Sequence, residues 1–393
     1  MSYHIKPLAL AAGIMLVAAC AETSTAPDVA DAARSGVTNS AVKFWDVGAS
    51  ASWNELATDF TTRRVTNAQR LYAYLSLAQF RAAQAAEAIR PHPPVSSAIG
   101  AASAVVLSSF FPADVAEIEG VLDAQRVAAP WPGAKHEDFA AGEALGRAVG
   151  ARVVVFAQSD RVGLADPGTP PVGPGFWLAN GGPIARGNYR ARPFFIASDS
   201  EFRPAPPPAF GSPEYLTALA EVRHISDTRT PEQLAIALYW NLNQSPTRNA
   251  AMNNLAVDLI RSHHRGDAEA ARILFLANAS VFDALIGCFD AKYHYWFIRP
   301  PQADPGIVTA FPVPPHPSYP SAHSCISGAM TGVLAAEFPS ETARVDSVAL
   351  EASLSRLYAG IHYRFDFVAG LALGRAVAAK AEAADLSKVA PLP

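Results

Sequence analysis

The feature that most limits the fold of this chain is the helical spacing of its apolar residues. Between about Val65 and Ile89 they recur every three or four positions, and Pro91 ends the run. The same spacing predicts further helices at about 95–110, 113–127, 136–158, 230–242, 247–264, 267–298, 320–337, 345–360 and 362–385. Because neither an internal repeat nor strand-type alternation interrupts the series, the sequence predicts an all-α fold.

A segment rich in proline and glycine, 166–213, separates two helical parts. It lacks helical spacing but carries several aromatic side chains, including Trp177. A segment of this length with aromatic residues is more often a functional loop than a linker. We therefore predict one domain over 41–388, with an N-terminal helical part to about residue 165, this loop, and a catalytic helical part at 214–388.

The N-terminus has the pattern of an export signal. Lys6 precedes an apolar run at 8–19, which is too short to span the ~30 Å of a bilayer core. Small residues before Cys20 predict a lipoprotein signal peptide at 1–20 with Cys20 lipidated, and an ordinary cleaved signal with an incidental cysteine is the alternative. Residues 21–40 suit a flexible tether. The protein is thus expected at the periplasmic face or cell surface, with the lipid as its only membrane contact.

Composition and charge narrow the function class. Hydrophobic residues make up 50% of the chain, which is enough for a large core. The chain has 31 basic and 35 acidic residues, and this net charge of −4 argues against a general nucleic-acid binder. Beyond Cys20 only Cys288 and Cys325 remain. In an oxidising compartment they either pair as a disulfide or remain two buried thiols. The oligomeric state is not indicated.

The first of three clusters suited to anion chemistry contains Lys292 and Arg299. Seven residues are nearly two helical turns, so on one continuous helix both side chains lie on one stripe about 10 Å apart. Two such cations usually form a solvated surface. Here the aromatic residues between them predict burial, where two cations need an anionic partner.

The second cluster, Pro320-Ser321-Ala322-His323, begins an apolar helix. The free N–H groups and the dipole of a helix start favour a bound oxyanion, and Ser321 adds a hydroxyl donor. His323 is placed to exchange a proton with the bound group. An ordinary helix start with a structural histidine is the alternative.

The third cluster joins Arg356 to His362 and Asp366. Histidine and aspartate four residues apart lie on one helix face, where the carboxylate can hold one imidazole nitrogen and leave the other as a nucleophile or ligand. Arg356 supplies a planar guanidinium that can hold two oxygens of a tetrahedral anion.

The order of the three clusters resembles the vanadium haloperoxidase and type 2 phosphatidic acid phosphatase superfamily. The pattern is lysine, six residues and Arg-Pro, then Pro-Ser-x-His, then Ser-Arg, five residues, histidine, three residues and aspartate. The resemblance covers about 44–386, includes Arg229–Gln233 and Phe202–Pro204, and is to the bacterial haloperoxidase-like branch. It implies a helical bundle of the haloperoxidase/acid phosphatase type with long Pro-rich loops.

The resemblance implies how a tetrahedral oxyanion is held. Lys292, Arg299 and Arg356 neutralise its charge, while Ser321 and the backbone amide of Ala322 donate hydrogen bonds to it. The family usually has glycine at the position of Ala322. The methyl group removes no N–H donor, so anion binding is expected to survive, but it crowds the side at which peroxide binds.

The same resemblance implies two chemistries around His362. In the first, bound vanadate has His362 as its axial ligand, and hydrogen peroxide oxidises a halide that then reacts with a small organic acceptor. In the second there is no cofactor, and His362 is the nucleophile that takes a phosphoryl group from a phosphoester. Asp366 orients His362 and His323 is the general acid/base in both. The long N-terminal helical part and the loop favour the first.

His316 is the candidate for the halide site. It lies seven residues before His323, where the family's algal bromoperoxidases carry histidine, which favours bromide or iodide over chloride. The alternative is that His316 only braces its Pro-rich loop. A zinc enzyme built on His316, His323 and His362 fits less well, because three nearby cations would repel the metal. A catalytically inactive lipoprotein scaffold would have no reason to keep the clusters together.

Overall fold

The computed structural model describes residues 48–64, 66–128, 136–179, 182–241 and 250–392. The predicted signal peptide, Cys20 and the tether lie outside these residues. The described chain contains thirteen α-helices and no β-strand, so the predicted all-α class is confirmed. The helices are α1 Ala49–Arg63, α2 Ala68–Ala88, α3 Val95–Phe110, α4 Val115–Ala128, α5 His136–Gln158, α6 Pro213–Thr228, α7 Pro231–Tyr239, α8 Ala251–Ser262, α9 Asp267–Tyr295, α10 Pro300–Ala303, α11 Ala322–Glu337, α12 Thr342–Tyr358 and α13 Arg364–Glu382.

Helix α9 forms the centre of the fold. Its residues are buried almost throughout, and it packs against α2, α11 and α13. One hydrophobic core continues from α1–α5 through α9 to α11 and α13, so the two predicted helical parts share their interior. By length and hydropathy α9 alone among the described helices could span a membrane, but its apolar window is completely buried inside the protein. We therefore describe α9 as the central core helix.

Three helices, α1, α6 and the four-residue α10, are absent from the sequence prediction. In α6 only Tyr215 and Val222 are buried, so the apolar spacing is weak. Ser212 caps this helix by accepting a hydrogen bond from the Tyr215 N–H at 3.3 Å. In α1 many buried positions are small or polar, such as Asn54, whose amide donates to Gln79 Oε1 at 2.9 Å. The spacing of large apolar residues therefore does not reveal α1 or α6.

The end of α9 differs from the prediction in a way that matters for the site. The helix ends at Tyr295 because Trp296 adopts a left-handed conformation, with φ 50° and ψ 34°. Pro300 and Pro301 begin α10, since the fixed φ of proline suits a first helical turn. The prediction that Lys292 and Arg299 share one helical stripe is therefore wrong, and a turn brings them together instead.

The described residues of the Pro-rich loop at 166–213 form no helix before α6, and hydrogen bonds attach the loop to α9. The Asp283 carboxylate accepts the N–H groups of Phe194, Phe195 and Ile196 at 2.9, 2.6 and 3.1 Å. Burial raises the pKa of Asp283 to about 7. Arg203 in the loop also pairs with Asp290 at 2.7 Å. The loop is thereby held as a wall against the central helix.

The contact between α11 and α13 depends on glycine. A Cβ atom at Gly370 would lie 2.7 Å from the Ser321 carbonyl oxygen, closer than real Cβ atoms approach. We predict that Gly370→Ala lowers the free energy of unfolding by about 1–3 kcal/mol through overpacking. Gly120 in α4 is the matched control because a Cβ there meets nothing within 4 Å. Gly120→Ala should be neutral or stabilising. Denaturant unfolding checks both, and equal stability of the two variants would contradict this packing.

Candidate active site

A cavity of about 320 Å³ lies between the Pro-rich loop, α9, α11 and the end of α12. Gly187 and Asn188 of the loop line one wall. Of the residues predicted from sequence, five line it directly, namely His316, Ala322, His323, Arg356 and His362. The other four of the predicted anion pocket, Lys292, Arg299, Ser321 and Asp366, are fully buried behind this wall.

His362 and Asp366 form a buried pair, with His362 Nδ1 2.7 Å from Asp366 Oδ2. They do not share a helix face as predicted, because α13 begins only at Arg364. Instead the N–H of Tyr363, just before the helix, donates to Asp366 Oδ2 at 3.1 Å and turns the carboxylate back towards His362. Burial raises the pKa of Asp366 to about 6, so it is ionised at neutral pH. His362 therefore donates Nδ1–H to it and keeps the lone pair on Nε2.

Arg299 joins the two histidines His362 and His316. Its Nη1 donates to His362 Nε2 and its Nη2 to His316 Nδ1, both at 2.9 Å. Its Nε donates to the His316 carbonyl oxygen at 3.0 Å. A guanidinium only donates, so His362 Nε2 accepts and the His362 ring is neutral. His316 Nδ1 also lies 3.1 Å from the Pro317 carbonyl oxygen. In agreement, burial, together with the charges of Lys292 and Arg299, holds the pKa of each histidine well below its usual value.

Lys292 is held by the segment that leads into α11. Its Nζ donates to the carbonyl oxygens of Pro317, Ser318 and Pro320 at 2.8, 2.9 and 2.6 Å. These contacts use all three ammonium protons. Burial lowers the pKa of Lys292 to about 8. Lys292 thus gives the site a positive charge and fixes the loop, rather than reaching into the cavity.

Arg356 brings a third cation to the cavity wall. It lies near the end of α12, donates from Nε to Ser355 Oγ and from Nη2 to the Ala237 carbonyl oxygen, both at 3.1 Å, and stacks 5.0 Å from the Phe311 ring centre. Burial, followed by the charge of Arg299, lowers the pKa of Arg356 to about 9. These neighbours are neutral, so the charge of Arg356 lacks an acidic partner among the contacts that the described residues make with it.

The start of α11 supplies donors. Ser321 precedes the helix, and its N–H donates to the Asp366 carbonyl oxygen at 3.0 Å. The Ser321 hydroxyl is buried and has no hydrogen-bond partner within the described part of the chain. A buried hydroxyl without a partner is costly, so this atom fits a ligand oxygen. Ala322 is the first residue of the helix, where N–H groups are free of helical partners.

His323 lies on the cavity wall in the first turn of α11. Its Nε2 is 2.9 Å from the Trp240 carbonyl oxygen, which can only accept, so Nε2 carries a proton. Burial and the charge of Arg356 keep the pKa of His323 well below its usual value. The ring is therefore neutral, and its other nitrogen, Nδ1, carries the lone pair.

Sequence reasoning missed Ser318. Its hydroxyl donates to Asp366 Oδ2 at 2.6 Å, and its carbonyl oxygen accepts from Lys292. No local signal marks it, because a serine in a Pro-rich segment follows no spacing rule and its partners come from three other parts of the chain.

The two cysteines sit beneath this site as free, fully buried thiols that contact each other. Of the two alternatives for Cys288 and Cys325, the structure has the buried thiols and not the disulfide. The described residues also contain no group of three or more His, Cys, Asp or Glu side chains able to hold a metal ion, which leaves the zinc alternative without a ligand set there.

Comparison with known proteins adds a family and a fold. The PAP2 superfamily matches residues 271–382, which include all three clusters. The chain is similar to the crystal structure of the first bacterial vanadium-dependent iodoperoxidase, with a TM-score of 0.70 and 23% identity over 85% of this chain and 96% of that one. It is also similar to an apo-type bacterial vanadium-dependent chloroperoxidase, with a TM-score of 0.65 and 14% identity over 82% and 94% of the two chains. It is similar, too, to the holo-type bacterial vanadium-dependent chloroperoxidase, with a TM-score of 0.63 and 15% identity over 83% of this chain and 92% of that one.

No curated protein sequence matches the chain. Identities this low establish the fold and leave the activity open. Residues 271–382 therefore match the PAP2 superfamily, in a chain with the all-α fold of the bacterial vanadium-dependent haloperoxidases.

Proposed function

We propose that this protein is a vanadate-dependent haloperoxidase that uses hydrogen peroxide to oxidise bromide or iodide in the presence of a small organic acceptor. The observation that carries the proposal is the convergence of three buried cations and the His362–Asp366 pair on one cavity. Lys292, Arg299 and Arg356 bring three positive charges, and Asp366 brings one negative charge. The remaining excess of two charges in a buried site favours a multiply charged anion.

The residues at the site fit vanadate. The three cations would offset its charge, the unpaired Ser321 hydroxyl and the Ala322 N–H would donate to its oxygens, and His362 Nε2 would be its protein ligand. When bound, vanadate supplies a Lewis-acidic centre at which hydrogen peroxide is activated for oxidation of the halide.

The protein's own groups handle orientation and protons. Asp366 holds the Nδ1–H of His362, which leaves the Nε2 lone pair available, and Arg299 now donates to that atom. Arg299 must therefore redirect this N–H when an anion binds. His323 keeps its proton on Nε2 towards Trp240, so Nδ1 is the atom that accepts a proton from hydrogen peroxide.

Phosphoester hydrolysis is the second candidate, favoured by the PAP2 match. His362 Nε2 would attack phosphorus and form a P–N bond while the bond to the leaving oxygen breaks, and water would then cleave the P–N bond. His323 would have to start protonated to give the leaving oxygen its proton. The neutral ring of His323 suits proton acceptance better, which supports the peroxidase as our first choice.

For the halide we propose the cavity wall around His316. Its ring packs edge-on against Phe289, with the ring centres 5.5 Å apart, and its Nδ1 is engaged by Arg299. One similar structure is an iodoperoxidase, and the other two are chloroperoxidases. Bromide or iodide remains our proposal because of His316 alone.

We also propose that the protein is exported and anchored by a lipid on Cys20. The support is the sequence pattern of Lys6, the apolar run at 8–19 and the small residues before the cysteine. Mass spectrometry of the mature N-terminus tests it. A diacylated Cys20 is expected, and an unmodified N-terminus elsewhere would contradict the anchor.

Anion affinity should depend on pH through Lys292. Its pKa is lowered to about 8, so above that pH the free protein loses this positive charge, and binding an anion then requires a proton to be taken up again. Sulfate keeps its charge throughout this range. We expect its affinity, measured by calorimetry, to be constant from pH 6.5 to 7.5 and to fall by up to about tenfold per unit above pH 8. Constant affinity to pH 9 would contradict this role of the lysine.

One experiment separates the two activities. The full-length protein, freed of bound metal, is supplied with orthovanadate and assayed for peroxide-dependent bromination and iodination of an organic acceptor, in parallel with phosphomonoester hydrolysis without vanadate. Halogenation that depends on both vanadate and peroxide is expected. Hydrolysis with no halogenation would replace our first choice by the second.

A further inference from the structure

We propose that Ser318 is a positioning residue, which holds the Asp366 carboxylate so that His362 presents Nε2 to the bound anion. Ser318 lies between α10 and α11, is fully buried and does not line the cavity. It therefore acts through another residue. The inference rests on the proposed function in one respect, namely that His362 meets the anion.

The Ser318 hydroxyl completes the set of donors on one carboxylate oxygen. Asp366 Oδ2 accepts from Ser318 Oγ at 2.6 Å, from His362 Nδ1 at 2.7 Å and from the Tyr363 N–H at 3.1 Å. Ser318 Oγ also lies 3.5 Å from His362 Nδ1, but both groups donate to Asp366, so this is only a contact. Three donors from different directions leave the carboxylate one orientation, and that orientation fixes the imidazole ring.

The backbone of Ser318 is held as firmly as its side chain. Its N–H donates to the Phe297 carbonyl oxygen at 2.9 Å, and its own carbonyl oxygen accepts from Lys292 Nζ at 2.9 Å. Ser318 thus connects Lys292 on α9 to the His362–Asp366 pair at the start of α13. Because the N–H and the carbonyl oxygen of Ser318 are both hydrogen-bonded, its hydroxyl is a rigidly placed donor. Orientation of a catalytic group requires such rigidity.

The neighbouring cations are poorly placed to replace this donor. Lys292 gives its three protons to the Pro317, Ser318 and Pro320 carbonyl oxygens. Arg299 is directed at His316, Ile361 and His362. Without the hydroxyl, the buried carboxylate would lose its shortest hydrogen bond and gain freedom to rotate, and the His362 ring would move with it.

Ser318→Ala tests the inference, with Ser327→Ala as the matched control. Both serines are fully buried, but among the described residues the Ser327 hydroxyl donates only to the Ser324 carbonyl oxygen of its own helix, at 3.4 Å. Dissociation constants for orthovanadate and inorganic phosphate are measured by calorimetry on the full-length protein, together with melting temperatures and the ¹⁵N NMR signals of the His362 ring. We expect Ser318→Ala to raise the dissociation constants of both anions by about 10- to 100-fold and to shift the Nδ1 signal of His362. Ser327→Ala should change neither quantity by more than about twofold.

A double-mutant cycle shows whether Ser318 acts through Asp366. In an Asp366→Ala background the Ser318→Ala change should cost no further affinity, because its partner is gone. Additive losses, or Ser318→Ala binding and NMR signals equal to those of Ser327→Ala, would overturn the inference while leaving the proposed function intact. If the parent protein binds neither anion, that result contradicts the proposed function itself. Should Ser318→Ala not fold, Ser318→Gly, which also lacks the donor, takes its place with the same expected and contradicting results.

Discussion

His362→Ala is expected to abolish vanadate-dependent halogenation and phosphoester hydrolysis alike, by roughly a thousandfold or more. Among the described residues that line the cavity, His362 has its Nδ1–H held by the buried Asp366 carboxylate, and its Nε2 carries the lone pair, which now accepts a hydrogen bond from Arg299. In both proposed chemistries, Nε2 of His362 would meet the central atom of the anion. Specific activities with saturating vanadate and peroxide, and with a phosphomonoester, measure the loss.

The matched control is His224→Ala. His224 lies on an exposed position of α6, outside the cavity, so its removal should leave both activities within about twofold. Melting temperatures show whether either variant is misfolded. A folded His362→Ala protein with more than about a tenth of the parent activity would remove this residue from the centre of the mechanism.

Replacing Arg356 by methionine should change affinity and stability in opposite directions. The guanidinium contacts Ser355 Oγ and a backbone carbonyl oxygen, and its charge is nearly fully buried. An apolar side chain of similar size removes the desolvation cost of a buried charge that has no acidic partner among the described residues, so we expect the free energy of unfolding to stay the same or to rise. Loss of the cation should nevertheless weaken the binding of orthovanadate and of phosphate by about 30-fold or more, as expected when one partner of a buried charge pair is removed.

Arg364→Met is the control for this prediction. Arg364 pairs with Glu221 on the surface, with about half of its side chain exposed, so its removal should alter stability by less than about 1 kcal/mol and leave anion affinity unchanged. Thermal unfolding without anion and calorimetry with anion give the two quantities. A strongly destabilised Arg356→Met protein, or one with parent-like affinity, would show that Arg356 is structural and not part of the anion site.

The sequence predicted much of the fold where burial is carried by large apolar side chains. The bounds of α3 and α5 follow directly from apolar spacing, and so does the absence of helix from the Pro-rich loop before α6. Helices α1 and α6 escaped because their buried faces are built from small or polar residues, or contain only Tyr215 and Val222. Apolar periodicity reveals a helix only when its buried face is made of large apolar residues. A helix that buries small or polar residues lacks this periodicity.

The residues of the candidate site followed from chemistry and spacing, but their geometry did not. The left-handed turn at Trp296 takes Arg299 off the helix that carries Lys292, and no residue preference would have placed a tryptophan there. Likewise His362 precedes α13, so a capping contact rather than a shared helix face sets its contact with Asp366. Ser318 and the carbonyl oxygens around Lys292 become partners only when distant segments fold together.

The central claim is that these side chains build one site for one tetrahedral oxyanion, and equilibrium titration with orthovanadate tests it most directly. Calorimetry on metal-free, full-length protein should give one bound ion per chain, with inorganic phosphate competing for the same site. Absence of saturable binding, or phosphate that binds without displacing vanadate, would contradict the claim.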